Sequence, residues 1–195
     1  MLTLLLDSAN SHLSVGFVKD QQLVFQFHEL AWQKQSELMV AVINQAMQNH
    51  GWSRHDITSI MVGIGPGSYT GVRIALTVAK VMAVALEIPL VPVSSLQILA
   101  DKNRPSICLI NARSQRSYFA VYEGEKAVIS DTIITNDEVL NYIRMYPNYE
   151  LCGQLDYLGL EGKDNNPLFK MASLIGQLSS SVNPLKVNPI YLKDL

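Results

Sequence analysis

The sequence predicts an α/β fold built from two similar lobes. Three observations lead there. Short apolar strand patterns alternate with amphipathic helical patterns along the 195 residues. The order strand-strand-strand-helix-strand-helix occurs twice. One strand also runs through a glycine-rich turn, Gly63-Ile64-Gly65-Pro66-Gly67-Ser68-Tyr69-Thr70-Gly71-Val72-Arg73-Ile74, into a long helix.

The first lobe starts with an apolar strand at Leu2 to Leu6 and turn chemistry at Asp7-Ser8-Ala9-Asn10. Alternating patterns at His12 to Lys19 and Leu23 to His28 complete three antiparallel strands. A helix follows from Ser36 to His50, ended by Gly51. Ser53 with Asp56 reads as a capping box. Ile57 to Ile64 is a strand. Ser68 or Thr70 caps the next helix, and Leu90 to Val93 is short and strand-like. Ser94 or Ser95 caps a further helix toward Asp101.

The second lobe repeats the order. Strands are expected at Ser106 to Asn111, Ser117 to Tyr122 and Ala127 to Ile134. Thr135 with Glu138 caps a helix to Met145. Tyr149 to Cys152 is a strand, and Pro167 opens a helix toward Val182. The lobes divide as 1–103 and 104–195, joined near Lys102 to Pro105. The tail from Pro184 is expected to return to the first lobe as an ordered strap. The doubled βββαβα order is that of the actin-like fold, which by itself gives no function.

Composition narrows the classes. At 48% hydrophobic the chain fills a proper core, and a formal charge of −2 gives no bulk attraction to nucleic acid. Cys108 and Cys152 form no CxxC pair and read as buried free thiols. The opening MLTLLLDSAN lacks a basic region and reads as a strand, not a signal peptide. Lys80, Glu87, Pro89 and Pro92 interrupt the longest apolar run, so no bilayer span is expected and the localisation expected is cytoplasmic.

The glycine-rich stretch Gly65, Pro66, Gly67, Ser68, Tyr69, Thr70, Gly71 and Arg73 has two readings: a tight structural corner, or an anion cradle at a helix N-terminus. It matches neither the P-loop nor the dinucleotide fingerprint. The helix after it is apolar on nearly every side, so it is covered either by a second subunit or by its own lobe. Asp7 and Ser8 stand where an actin-like nucleotide site places an acid, and a simple turn is the competing reading. The matching position in the second lobe is Asn111, an amide that cannot act as a base. No His pair has metal-ligand spacing on a helix, and Ser68 is not in a nucleophile elbow. The residues therefore offer no catalytic set, no metal site and no cofactor. Arg113 and Arg116 share a turn.

GPGSYTGVRI resembles the TsaB family, also called YeaZ, with Tyr69 where that family usually has Phe. LLLDSANSHLSVGF, VPVSSLQILA, INARSQRSYFAVYE and NPIYLKDL are similar to its other segments, so the resemblance touches both lobes. Asn111 and Ser117 replace usual acids, Lys193 a terminal Arg, and Gln35 a usual His, and the second lobe is shorter. The resemblance implies a non-catalytic subunit of bacterial tRNA modification. Its partner would be a TsaD-like paralogue that transfers a threonylcarbamoyl group to adenosine at position 37 of tRNAs reading ANN codons. A TsaE-like ATPase would join the pair, tRNA would be met only through the complex, and the chain alone would form a homodimer. The helices of the first lobe would carry the interface, through Leu38, Val42, Ala46, Val72, Ala75, Leu76, Ala79, Met82, Ala83 and Leu86. An actin-like ATP-dependent phosphotransferase and a metallopeptidase are the competing functions.

Overall fold

The computed structural model describes residues 1–31, 33–162, 166–178 and 183–192. The first three strands are β1 (Leu2–Asp7), β2 (His12–Lys19) and β3 (Gln22–Leu30). They lead to α1 (Gln35–His50), β4 (Ile57–Gly63), α2 (Tyr69–Leu86) and β5 (Leu90–Val93). The second half holds β6 (Ser106–Arg113), β7 (Arg116–Glu123), β8 (Lys126–Thr135), α3 (Asn136–Met145), β9 (Glu150–Gly153) and α4 (Pro167–Leu174). One sheet has the order β3-β2-β1-β4-β5, the other β8-β7-β6-β9. The second therefore repeats the first without its fifth strand. In both, the first strand pairs antiparallel with the second and parallel with the strand after the helix.

Each sheet is covered on both faces. α1 and α2 close one face of the first sheet over Leu4, Leu6, Val15, Phe17 and Ile60. Its other face, with Leu5, Val18 and Met61, is covered by Leu168, Met171 and Leu174 of α4. α4 comes late in the chain yet rests on the first lobe's sheet. α3 closes one face of the second sheet through Val139. On the opposite face Leu96, Leu99 and Ala100, just past β5, pack against Cys108, Ile110, Tyr122 and Cys152. The two cysteines are register partners on β6 and β9, both buried and not joined as a disulfide.

Local chemistry sets the ends. Ser68 Oγ accepts the Gly71 N–H at 3.2 Å, so α2 begins at Tyr69 and Ser68 is the cap. Thr135 with Glu138, and Ser53 with Asp56, form the expected capping boxes. Two expected helices are shorter than their patterns. The one toward Asp101 is a single 3-10 turn, Gln97–Leu99, because Ala100 returns to an extended backbone. α4 stops at Leu174, where Ile175 is extended and Gly176 takes φ 82°. The rest of its expected course, 179–182, lies outside the described residues, as does Lys193.

α2 is long and apolar enough for a bilayer by length and mean hydropathy alone, although Arg73 and Lys80 fall within it. Its inner side packs on the first sheet, which accounts for much of that composition.

Candidate functional site: the inter-lobe cleft and the open face of α2

A cleft of about 800 Å³ lies between the lobes. One wall is Gly67, Ser68, Tyr69 and Thr70, the entry to α2. The other is Asn111, Ala112, Arg113, Tyr118, Gln154 and Asp156, with Ala9, Ser11, Leu30 and Ile110 completing the lining. The β6–β7 hairpin shapes the second wall. Its tip holds Arg113, Ser114 and Gln115 at φ 63°, 52° and 56°, a left-handed run that side chains disfavour. Asn111 Oδ1 accepts the Arg113 N–H at 2.8 Å, and the Gln115 carbonyl accepts the Asn136 N–H at 2.9 Å, which hold the tip in place. The walls offer hydroxyls, amides, one guanidinium and one carboxylate, groups that hold a polar ligand by hydrogen bonds.

Asp7 and Ser8 do not line the cleft. Asp7 is 3% exposed and accepts from Ser95 Oγ at 3.0 Å and from the Ala9 N–H at 3.2 Å. Burial pushes its carboxyl up to about 6 against the pull of those two bonds. Ser95 Oγ also accepts the Gly65 N–H at 3.0 Å, and the Ser95 N–H donates to the Gly65 carbonyl at 2.8 Å. Ser8 Oγ donates to the Gly71 carbonyl at 2.7 Å. Asp7, Ser8 and Ser95 thus tie the end of β1 to the glycine-rich turn.

The glycines answer to close packing. A Cβ on Gly71 would meet the Ser8 carbonyl oxygen, and one on Gly67 the Ala9 carbonyl oxygen. Gly65 sits at φ 91° under the Ile190 carbonyl. Gly65 and Pro66 are buried, whereas Gly67 to Thr70 reach the cleft. Arg73 faces outward. Its Nε donates to the Tyr191 hydroxyl at 2.9 Å, and its guanidinium lies 3.9 Å from the Tyr69 ring centre. The Tyr69 and Tyr191 rings stack at 5.5 Å. Past residue 183 the Ile190 N–H donates to the Ile64 carbonyl at 2.8 Å, and Val187 is buried in the first lobe's core.

The face chosen from sequence for a partner needs correction. Val42, Ala46, Val72, Ala75, Leu76, Ala79 and Ala83 are buried against the chain's own sheet. Leu38, Met82 and Leu86 are half-buried at its margin. The open stripe is the opposite one. On α2 it holds Arg73, Thr77, Val81 and Val84, with Val81 63% and Val84 46% exposed; Val40 of α1 is 56% exposed. Helical period alone does not say which of two apolar stripes meets the sheet.

Three of the four histidines sit in stacks. His12 and His28 stack at 4.8 Å across β2 and β3, with Ser14 Oγ 2.8 Å from His28 Nδ1. His50 stacks on Trp52 at 4.3 Å and its Nδ1 lies 2.8 Å from the Ala46 carbonyl. Among the described residues no three His, Cys, Asp or Glu side chains converge as metal ligands.

Comparison with known proteins places this arrangement. The family model described as TsaD, tRNA N6-adenosine threonylcarbamoyltransferase, matches residues 28–185. The tRNA threonylcarbamoyladenosine biosynthesis protein TsaB of Haemophilus influenzae is 24% identical over 99% of this chain and 94% of its own length. TsaB of Bacillus subtilis is 28% identical over 68% of this chain, a match that spans 60% of that protein. The solved structure of YeaZ from Pseudomonas aeruginosa superposes with a TM-score of 0.78 at 19% identity, covering 98% of this chain and 99% of that one. The duplicated lobes are the actin-like fold, and the chain belongs to the TsaD family, in its TsaB/YeaZ branch.

Proposed function

We propose that the chain is a non-catalytic scaffold and activator in the making of threonylcarbamoyladenosine. It pairs with a TsaD-type chain that transfers the threonylcarbamoyl group to adenosine at position 37 of tRNAs reading ANN codons. A TsaE-type ATPase joins them, tRNA is met only through the complex, and the work is done in the cytoplasm. The observation that carries the reading is the pair of exposed valines on the open side of α2. Val81 and Val84 stand exposed on a helix whose inner side is packed on the first sheet, and Val40 of α1 is exposed as well. Apolar side chains lined up in this way mark a surface that another protein covers. The non-catalytic part is supported by Asp7, which spends its oxygens on Ser95 and Ala9, and by the amide of Asn111 in the matching turn.

The test is reconstitution. Threonylcarbamoyl transfer by a TsaD-type chain with a TsaE-type ATPase should require the wild-type chain. Val81→Asp with Val84→Asp should abolish that support. Transfer at full rate without the chain would end the reading.

The inter-lobe cleft favours a second reading, an ATP-dependent phosphotransferase. Calorimetry with ATP and Mg²⁺ separates the two, since tight binding by the isolated chain belongs to the second alone.

A further inference from the structure

Among the described residues, two polar contacts join the second sheet to the first lobe at one strand and the turn before it. β8 is an outer edge of the second sheet, and two clasps fasten it to the first lobe. At its middle, Asp131 accepts a 2.6 Å hydrogen bond from Ser94 Oγ and a 3.2 Å bond from the Tyr122 hydroxyl. Ser94 lies just past β5, and its oxygen also accepts the Leu96 N–H at 3.1 Å and the Gln97 N–H at 3.2 Å. With both lone pairs engaged, its proton goes to the carboxylate, at a distance typical of a charge-assisted bond.

The second clasp sits where β8 begins. Lys170 belongs to α4, which rests on the first sheet, yet its Nζ lies 3.0 Å from Glu125 Oε1 and 3.3 Å from the Gly124 carbonyl, in the β7–β8 turn. Its side chain is 4% exposed, so parting it from Glu125 would leave a desolvated charge. Apart from these clasps, Leu96, Leu99 and Ala100 pack against the second sheet. That contact is apolar and sets no direction, whereas hydrogen bonds do.

We propose that the two clasps form a latch that fixes the angle between the lobes, and with it the width of the cleft between Thr70 and Arg113. Releasing both frees the second lobe to swing about the connection at 101–105. The latch stands whether or not the chain serves as a scaffold.

Pulsed dipolar spectroscopy tests it. Nitroxide labels go on cysteines placed at Thr70 and Arg116, both exposed, while the native Cys108 and Cys152 are buried. Asp131→Ala and Lys170→Met should each broaden the distance distribution. Together they should move its centre beyond the wild-type width, with circular dichroism unchanged. A folded double variant that keeps the wild-type distribution overturns the latch. If that double variant fails to fold, Ser94→Ala with Lys170→Leu, which keeps the Tyr122 hydrogen bond to Asp131 and leaves no buried charge on α4, is judged by the same criterion.

Discussion

Gly63 and Asp7 share one space: a Cβ on Gly63 would fall on the Asp7 carboxylate, within reach of Ser95 Oγ as well. Asp7 cannot give way, because its oxygens are bonded to Ser95 and to the Ala9 N–H in a buried corner. Gly63→Ala should therefore cost about 1–3 kcal/mol, the usual range for overpacking. Urea unfolding checks it; a midpoint equal to wild type would show that the corner is loose.

The same carboxyl makes stability depend on pH. Its folded value is raised from 3.8 to about 6. Between those values the folded state binds the proton and the unfolded state does not. Its contribution thus favours folding below 3.8 and is lost as pH rises through about 6. Asp7→Asn removes the titration. Relative to that variant, the wild type should gain roughly 2 kcal/mol as the pH falls from 8 to 4. Parallel denaturation curves of the two proteins across that range would reveal the gain or its absence.

The two sides of α2 should respond oppositely to charge. Val81→Asp lies on the open stripe and should change stability by about 0.5 kcal/mol or less. Ala79→Asp buries an unpaired carboxylate against the first sheet and should unfold the lobe or lower its midpoint by several kcal/mol. Only the first should lose a TsaD-type partner while staying folded. Thermal melting with co-purification tells the two apart.

Arg73 should hold the strap. Arg73→Ala removes the bond to Tyr191 and the stacking on Tyr69, contacts at an exposed site where solvent screens most of their worth. Global stability should barely move, but the Ile190 N–H, bonded to the Ile64 carbonyl, should exchange with solvent faster. Unchanged exchange at Ile190 would mean that Val187 alone anchors the segment.

Much of the fold was written in local patterns. Alternation in β2 and β3, the Gly51 stop and the Thr135–Glu138 box each act within a few residues, so they are visible in the chain. What depends on distant partners was not. α4 has the apolar stripe of any second-lobe helix, and nothing in Pro167–Leu174 says that it rests on the other sheet. Ala75 and Ala79 satisfy a sheet and a partner helix equally well, so the stripe taken for an interface proved to be core. The cleft was half legible. Ser68 to Thr70 stood out through their glycine neighbours, and Asn111 and Arg113 through the repeated strand order. Tyr118, Gln154 and Asp156 carried no signal, because only the meeting of two lobes brings them there. Ser94 and Asp131, 37 positions apart, were invisible as a pair for the same reason.

Val187 is buried in the core cluster of the first lobe. On the ribosome, then, the half of the molecule made first is the last to be finished. Its hydrophobic interior keeps a vacant seat until Val187 has been added, well after every strand of both sheets. A nascent chain stalled near residue 180 would leave chaperones an opening that the completed protein hides.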